Sequence, residues 1–318
     1  ALLLEPTRSN LVLTSASGNY GNSPASETNT ISPDGTNNAV IPTTDSNSNR
    51  YQYDISSGTY ATNTKLAYSW YRKRISTPID TSYIGDLYIK SLYNATQVGS
   101  TTQIESDVNG FDRFQAVLNI TDSSLPSYIR GYFGQLIGVG NSSIAYFGHQ
   151  LEQGSYATSY IPTQGSIQTR VAETASGSGN SEVFNDSEGV LFADIAALAN
   201  DGIGRKITLN NGSNSQVLVL EYTSTVNQIR VFLSNGSLQF NEYITISDLT
   251  NFNKIAIKYK VNNFAIWVNG LELATDPIGT TFSSGTLTNL NFDDGSGNAD
   301  FYGKTKEISY YDTVLTDL

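Results

Sequence analysis

The stretch KIAIKYKVNNFAIWVNGL, residues 254–271, predicts two consecutive β-hairpins. Apolar and polar residues alternate on both sides of Asn262-Asn263, and Asn269-Gly270 is a dipeptide that strongly favours a two-residue hairpin turn. If Asn262-Asn263 also forms a two-residue turn, Lys258 lies opposite Trp267 on one face of the hairpin. The other face is then apolar and must belong to the core. It carries Ile255, Ile257, Tyr259, Val261, Phe264, Ile266 and Val268.

The same alternation continues through the rest of the chain. Turn residues interrupt it at intervals typical of an all-β sandwich or barrel, and no segment keeps the period of an amphipathic helix. A propeller or solenoid would require an internal repeat, which the sequence lacks. The predicted strands are residues 50–55, 65–75, 83–92, 111–120, 128–137, 143–152, 189–195, 205–210, 216–222, 227–234, 238–246, 254–261, 264–268, 287–292 and 304–311.

Length and composition indicate two folded domains. The 318 residues are enough for two cores, and 20 Tyr with 13 Phe argue against disorder although the apolar fraction is only 38%. The segment SGSGNS at residues 176–181 has the composition of a flexible linker. We therefore predict an all-β fold of two β-sandwich (jelly-roll) domains in tandem, covering 1–172 and 188–318, with a linker at 173–187.

Charge and residue usage exclude several function classes. The net charge of −11 and pI near 4.5 disfavour binding to nucleic acid or to anionic membranes. The sequence lacks an apolar run of about 18 residues, so no membrane insertion is expected. Cysteine is absent, which excludes disulfides and thiolate metal sites. The sequence begins without a methionine and without a charged leader. We therefore expect a piece of a longer polypeptide and no signal peptide.

The catalytic residues of common hydrolases are scarce. His149 is the single histidine, so it would have to be the base of any Ser-His-Asp or Cys-His site, and no serine lies in a nucleophile elbow. Paired carboxylates remain an alternative route, as in glycosidases. Glu182, Asp186 and Glu188 come closest to such a pattern, but we interpret them as solvated turn acids beside the linker. We predict a structural role for His149 and no enzymatic activity.

One acidic loop could hold a cation. Oxygen ligands on a tight glycine-containing loop suit calcium, although the spacing differs from that of an EF-hand. The alternative, which we favour, is an ordinary acidic hairpin loop. The candidate ligands are Asp293, Asp294, Asn298 and Asp300.

Aromatic and polar residues in the first half suggest a glycan-binding surface. Sugars bind to flat aromatic faces beside polar groups, and alternation places such residues on one face of three predicted strands. The alternative is a solvated outer face. The candidates there are Tyr88, Arg113, Tyr128, Arg130 and Tyr132. Trp267 is a further candidate, although a cation–π pair with Lys258 is the simpler interpretation. Trp70 is in phase with Leu66 and is predicted to be core.

Two segments of the first half resemble a known family. LLLEPTRSNL at residues 2–11 and GHQLEQGSYATSYIPT at residues 148–163, which runs on to TRVA at 169–172, look like the segments that frame a carbohydrate-binding-module-like jelly roll in bacteriophage tail and tail-fibre proteins. This resemblance covers residues 1 to about 172. FAIWVNG at 264–270 and KEISYYDTVLT at 306–316 resemble a concanavalin A-like, laminin-G-type domain.

The resemblance implies a virion tail or fibre protein, lectin-like and exposed on the virion surface, that recognises a host cell-surface polysaccharide without cleaving it. Other virion proteins and a homotrimeric assembly are the implied partners. The family usually has a small residue where His149 stands, so no inherited role is expected for it. Three alternatives remain: a purely structural virion or decoration protein, an accessory glycan-binding region of a secreted bacterial enzyme or adhesin, and a glycan lyase or hydrolase.

Overall fold

A computed structural model describes residues 2–16, 25–27, 30–42, 50–58, 60–74, 88–91, 101–120, 127–134 and 144–314. All regular elements in these ranges are β-strands, so the predicted all-β, sandwich fold class is confirmed. Within the same ranges we find no helix with the length and apolar character needed to cross a membrane.

The described strands are numbered in chain order. They are β1 (Leu2–Leu4), β2 (Arg8–Asn10), β3 (Ala25–Glu27), β4 (Val40–Pro42), β5 (Arg50–Gly58), β6 (Lys65–Arg74), β7 (Tyr88–Ser91), β8 (Thr102–Val108), β9 (Phe111–Asn119), β10 (Ser127–Gly134), β11 (Ile144–Gln153), β12 (Gln168–Arg170), β13 (Glu188–Ala197), β14 (Arg205–Asn210), β15 (Gln216–Tyr222), β16 (Gln228–Asn235), β17 (Leu238–Thr245), β18 (Asn253–Lys260), β19 (Phe264–Val268), β20 (Leu271–Asp276), β21 (Asn289–Asn291) and β22 (Gly303–Tyr311).

The chain divides into two compact units. The N-terminal unit is Thr7–Val171, and the C-terminal unit combines Ala172–Leu318 with Ala1–Pro6. This division differs from the predicted one at the start of the chain, because β1 pairs with β22 and Leu4 is buried in the core of the C-terminal unit. The segment predicted as a linker also joins this unit, since Phe184 packs in the same core.

The N-terminal unit contains two main sheets. Sheet I has the strand order β3-β4-β11-β6-β9-β8, and sheet II has the order β5-β10-β7. Leu66, Tyr68 and Trp70 alternate along β6 and form one hydrophobic cluster with Phe114 of β9. The prediction that Trp70 is core is thus correct, and its exposed fraction is 2%.

The C-terminal unit is a β-sandwich. Sheet III has the order β1-β22-β13-β18-β19-β20, and sheet IV has the order β17-β16-β15-β14-β21. Side chains from both sheets share one core: Leu191 and Ile257 come from sheet III, and Ile207 and Leu218 come from sheet IV. Their faces pack together because each strand alternates apolar and polar residues.

The first hairpin of residues 254–271 has a register different from the predicted one. Lys258 pairs with Ala265, and Asn263 N donates to the Lys260 carbonyl at 2.9 Å, so the turn is centred on Val261-Asn262. Of these two turn residues only Asn262 has a positive φ, 56°. Val261 is therefore 48% exposed rather than core. The remaining predicted core residues of the hairpin are buried: Ile255, Ile257, Tyr259, Phe264, Ile266 and Val268.

The second hairpin forms as predicted. Val268 pairs with Leu271 across Asn269-Gly270, and both turn residues have positive φ, 52° and 84°. Glycine and asparagine tolerate this backbone, which a two-residue hairpin requires to match strand twist. The Asn269 side chain also accepts a hydrogen bond from Lys254 N at 2.9 Å, which fastens the turn to β18.

The two segments that resemble the phage family bind each other. β2 pairs with β12, and Asn10, fully buried, bridges the two segments. Its Nδ2 donates to the carbonyls of His149 (3.2 Å) and Ile161 (2.8 Å), and its Oδ1 accepts from Leu151 N (3.1 Å). Because a buried amide must satisfy its donors and its acceptor, an asparagine at this position holds both ends of the unit together.

Gln150 and Glu152 of β11 then bind the chain that follows them. The Glu152 carboxylate accepts from Thr158 N (2.9 Å), from Thr158 Oγ1 and from Gln150 Nε2 (2.7 Å). Gln150 Oε1 accepts from Ile161 N at 2.6 Å. We call the buried set Asn10, Gln150, Glu152 and Thr158 the clasp. The clasp side chains bind the backbone of residues 154–163 and hold this stretch against sheet I. This is the structural role of the long segment that resembles the phage family.

Candidate functional site

Sheet II brings together most of the predicted glycan-binding positions. β10 lies between β5 and β7, with Tyr88 paired to Tyr132 and Lys90 paired to Arg130. Tyr128 precedes Arg130 by two residues on β10. Paired residues, and residues two apart in one strand, lie on the same face of a sheet. These five positions therefore form one face of adjacent strands.

The neighbouring strand β5 extends this face with polar residues. Tyr132 pairs with Gln52, and Arg130 pairs with Asp54 on the other side of β10. A register shift lies between Ile129 and Arg130, outside the stretch from Arg130 to Tyr132, so the pairing of that stretch with β5 is uninterrupted. The positions of Tyr88, Tyr132 and Gln52 thus form one row across the three strands, and those of Lys90, Arg130 and Asp54 form the next.

Arg113 does not belong to sheet II. It belongs to β9 in sheet I and is 2% exposed. Its Nη2 donates to Ser69 Oγ (3.0 Å) and to the Thr158 carbonyl (2.7 Å), and its guanidinium lies 5.2 Å from the centre of the Tyr71 ring. Alternation assigns Arg113 to one face of β9 but does not reveal that the chain after β11 covers that face. The structure thus separates it from the other candidates.

Trp267 lies on the outer face of β19 and is half-buried. It pairs with Ala256 rather than with Lys258, because the turn register differs from the predicted one. Lys258 nevertheless reaches it diagonally, with Nζ 5.2 Å from the ring centre. The cation–π arrangement named as the simpler interpretation is therefore present.

The acidic loop at residues 293–300 uses its carboxylates internally. Asp293 Oδ1 accepts from Gly295 N at 2.6 Å, and Asp300 Oδ2 accepts from the Tyr302 hydroxyl at 2.8 Å. Burial opposes ionisation of Asp294, but hydrogen bonds from Ser296 and Asn298 and the Lys206 charge hold the pKa of Asp294 below its usual value.

These contacts describe an acidic loop that caps its own turns, and calcium binding at this loop stays a prediction. A calcium ion requires several oxygen ligands that converge on one point. In the described ranges no group of three or more acidic, histidine or cysteine residues is placed to hold a metal ion. The candidate ligands Asp293, Asp294, Asn298 and Asp300 instead stabilise their own turns.

The acids beside the predicted linker also have structural partners. Asp186 accepts from the backbone N–H groups of Gly285 (2.6 Å) and Leu287 (2.7 Å), and Glu188 pairs with Lys260 at 2.7 Å. The Asp186 carboxylate holds a loop and the Glu188 carboxylate contacts a neighbouring strand. The interpretation as solvated turn acids is therefore wrong for Glu188, which is the first residue of β13.

His149 is fully buried at the end of the clasp. Its Nδ1 lies 2.6 Å from the Tyr68 hydroxyl, and burial lowers the pKa of His149 to about 3. The imidazole is therefore neutral at physiological pH and bonded inside the unit, which is a structural role.

This neutral histidine predicts acid sensitivity. Between about pH 8 and pH 5 we expect the free energy of unfolding of the N-terminal unit to fall by about 2 kcal/mol, because the unfolded chain takes up a proton on His149 while the folded chain does not. Stability is thus complete above the unfolded pKa and decreases as pH falls. Urea titrations followed by Trp70 fluorescence in a Trp267→Phe background measure it, because the chain has two tryptophans.

A His149→Gln variant is the control and should show a flatter pH profile over the same range. An NMR titration that found an ordinary pKa near 6.5 for this single histidine would contradict the assignment.

A row of residues on sheet IV was not predicted from the sequence. Lys206, Glu221, Arg230 and Tyr243 are paired in series across β14, β15, β16 and β17. All four strands were predicted, and alternation gives the phase of each residue. Finding the row also required the register between strands, which the sequence does not specify.

Comparison with known proteins gives remote likenesses only. No family model matches the sequence, and the curated proteins give no match. Among solved structures, toad ovary galectin in complex with thio-digalactose is 11% identical, covering 43% of this chain and 97% of that one with a TM-score of 0.30. Xenopus laevis galectin-Ib is 16% identical, covering 44% and 100% with a TM-score of 0.30.

Domains LG4-5 of the mouse laminin alpha1 chain are 10% identical, covering 79% of this chain and 83% of that one with a TM-score of 0.33. Scores at this level carry no argument about function. The fold assignment rests on the strands and their pairing.

Proposed function

We propose that this chain is a non-catalytic glycan-binding protein of a virion tail or fibre, displayed on the virion surface and directed at a host cell-surface polysaccharide. The observation that carries the proposal is the pairing of β7 with β10, which sets Tyr88 beside Tyr132 and Lys90 beside Arg130. Tyr128 and the polar positions of β5 border this pair on the same sheet.

Such a surface has the chemistry that a polysaccharide requires. The C–H faces of a sugar ring pack on aromatic side chains, while its hydroxyls exchange hydrogen bonds with amide, carboxylate and cationic groups. Two adjacent rows of such positions along a sheet suit an extended glycan chain. His149, the single histidine of the sequence, is fully buried and its pKa is lowered by burial, so it does not face a ligand on the surface.

The virion setting is supported by the resemblance of residues 2–11 and 148–172 to phage tail and fibre proteins. Association with other virion proteins and assembly as a homotrimer belong to the same proposal.

The test is binding of the full chain to a bacterial polysaccharide array. We expect Tyr132→Ala and Tyr88→Ala each to weaken binding by about tenfold, equivalent to about 1.4 kcal/mol. Tyr311→Ala is the matched control, because Tyr311 is 46% exposed on sheet III. Unchanged affinity in both sheet II variants would reject this site, and an array without any bound glycan would favour a purely structural virion role. Release of reducing ends from a bound polysaccharide would overturn the non-catalytic assignment.

A further inference from the structure

We infer that the C-terminal unit carries a separate binding site for a neutral sugar on the outer face of sheet IV, centred on Arg230. It uses none of the residues of the sheet II surface and stands independently of it. The inference rests on how Arg230 is held, on which of its hydrogen-bond donors remain unused, and on the balance of charge around it.

The row that contains Arg230 faces away from the core. Residues adjacent to the row in each strand, such as Ile207, Leu220, Ile229 and Ile244, are buried between the two sheets. Since side chains alternate along a strand, the row itself must lie on the outer face. Tyr243 at its end is 53% exposed.

Neighbouring side chains fix the Arg230 guanidinium in place. Its Nε donates to Asn241 Oδ1 at 2.6 Å, and Nη1 lies 3.7 Å from Glu221 Oε2. The guanidinium carbon lies 4.2 Å from the centre of the Phe232 ring and 5.2 Å from that of Tyr243. A group held on its edge and on its faces loses little conformational entropy when a ligand binds.

The Nη groups of Arg230 remain available as donors. Only Nε forms a hydrogen bond with the described residues, and the side chain is 25% exposed. Glu221 Oε2 is buried and accepts no hydrogen bond from the same residues, so its charge balances the guanidinium without occupying the Nη donors. A fixed pair of donors beside an exposed aromatic ring fits two adjacent hydroxyls and the C–H face of one sugar ring.

Local charge favours a neutral ligand. Two cations, Lys206 and Arg230, are matched by two carboxylates, Glu221 and Asp294, and Lys206 lies 4.0 Å from Glu221 Oε1. This balance leaves little net field to attract a charged group, while the whole chain carries −11 and repels polyanions. Sugar hydroxyls need no compensating charge, so a neutral hexose is the class of ligand that fits.

The experiment measures binding of the full chain to gluco-, galacto- and manno-oligosaccharides, with uronic-acid oligosaccharides as the charged comparison. It is done in a Tyr132→Ala background, or in Tyr88→Ala if Tyr132→Ala alters Trp70 fluorescence, so that sheet II contributes less. We expect a neutral oligosaccharide to bind, and Arg230→Lys and Tyr243→Ala each to weaken that binding by about tenfold. Lysine keeps the charge but lacks the planar pair of donors.

Tyr311→Ala is again the control, and melting temperatures close to that of the background show that the variants fold. Absence of binding to every neutral oligosaccharide, binding only to the acidic ones, or an Arg230→Lys variant that binds as well as its parent would each overturn the inference. If Tyr132→Ala alone weakens binding, the sheet II site is supported and the sheet IV site is not. If Arg230→Lys alone weakens binding, the reverse holds, so the two proposals can fail separately.

Discussion

Replacing Glu152 by alanine is expected to lower the free energy of unfolding of the N-terminal unit by about 3 kcal/mol or more. The carboxylate is fully buried, and its removal deprives Thr158 N, Thr158 Oγ1 and Gln150 Nε2 of their acceptor inside the unit. A buried donor left without a partner costs about 1–3 kcal/mol. Residues 154–163 would also lose part of their attachment to sheet I.

Urea unfolding followed by Trp70 fluorescence in the Trp267→Phe background measures the change. Gln153→Ala is the matched control, because Gln153 is the next residue of β11 and is exposed. Glu152→Gln should be milder than Glu152→Ala, since it keeps one acceptor oxygen. If Glu152→Ala were as stable as Gln153→Ala, the clasp would not be a source of stability.

Asp201→Ala is expected to lower the free energy of unfolding of the C-terminal unit by about 3–5 kcal/mol. Asp201 binds Arg205 through two hydrogen bonds of 2.9 Å, and the exposed fractions of the two side chains are 3% and 4%. Removing the carboxylate leaves a guanidinium buried beside Tyr222 without its opposite charge, which is far more costly than losing an exposed ion pair.

Trp267 fluorescence in a Trp70→Phe background reports on this unit. Lys260→Ala is the control: it breaks the more exposed pair with Glu188, whose side chains are 45% and 24% exposed, and should cost no more than about 1 kcal/mol. A double variant with Asp201→Ala and Arg205→Leu should recover part of the loss, because the unpaired charge is gone. A double variant less stable than Asp201→Ala would contradict this explanation.

Long strands with one apolar face were predictable from the sequence. The bounds of β14, β15 and β19 coincide with those predicted, because each alternates clearly between turn residues. β8 and β20 were missed, since both are edge strands with largely exposed residues. Alternation arises from burial of one face, so an edge strand without a buried face leaves little trace in the sequence.

The candidate sites were predictable only in part, because alternation gives the phase of a strand but not its partner. Tyr88 and Tyr132 were assigned to polar faces of separate strands, and only the register of β7 and β10 makes them neighbours. Arg113 was assigned in the same way, yet it lies in another sheet beneath the chain after β11. Asparagine tolerates a positive φ at either turn position, so the centre of the first hairpin was one residue off.

The pairing of β1 with β22 has a consequence for how the chain is synthesised and folds. Leu2 pairs with Thr305, so the C-terminal unit is discontinuous in sequence and Thr7–Val171 is an insertion within it. The inserted unit has all of its residues once Val171 has been made, and it can fold on a growing chain. In the surrounding unit, β1 must stay unpaired until β22 has been translated, about 300 residues later. Closing that long loop carries an entropic cost, which a folded insertion lowers by bringing its own two ends together at β2 and β12.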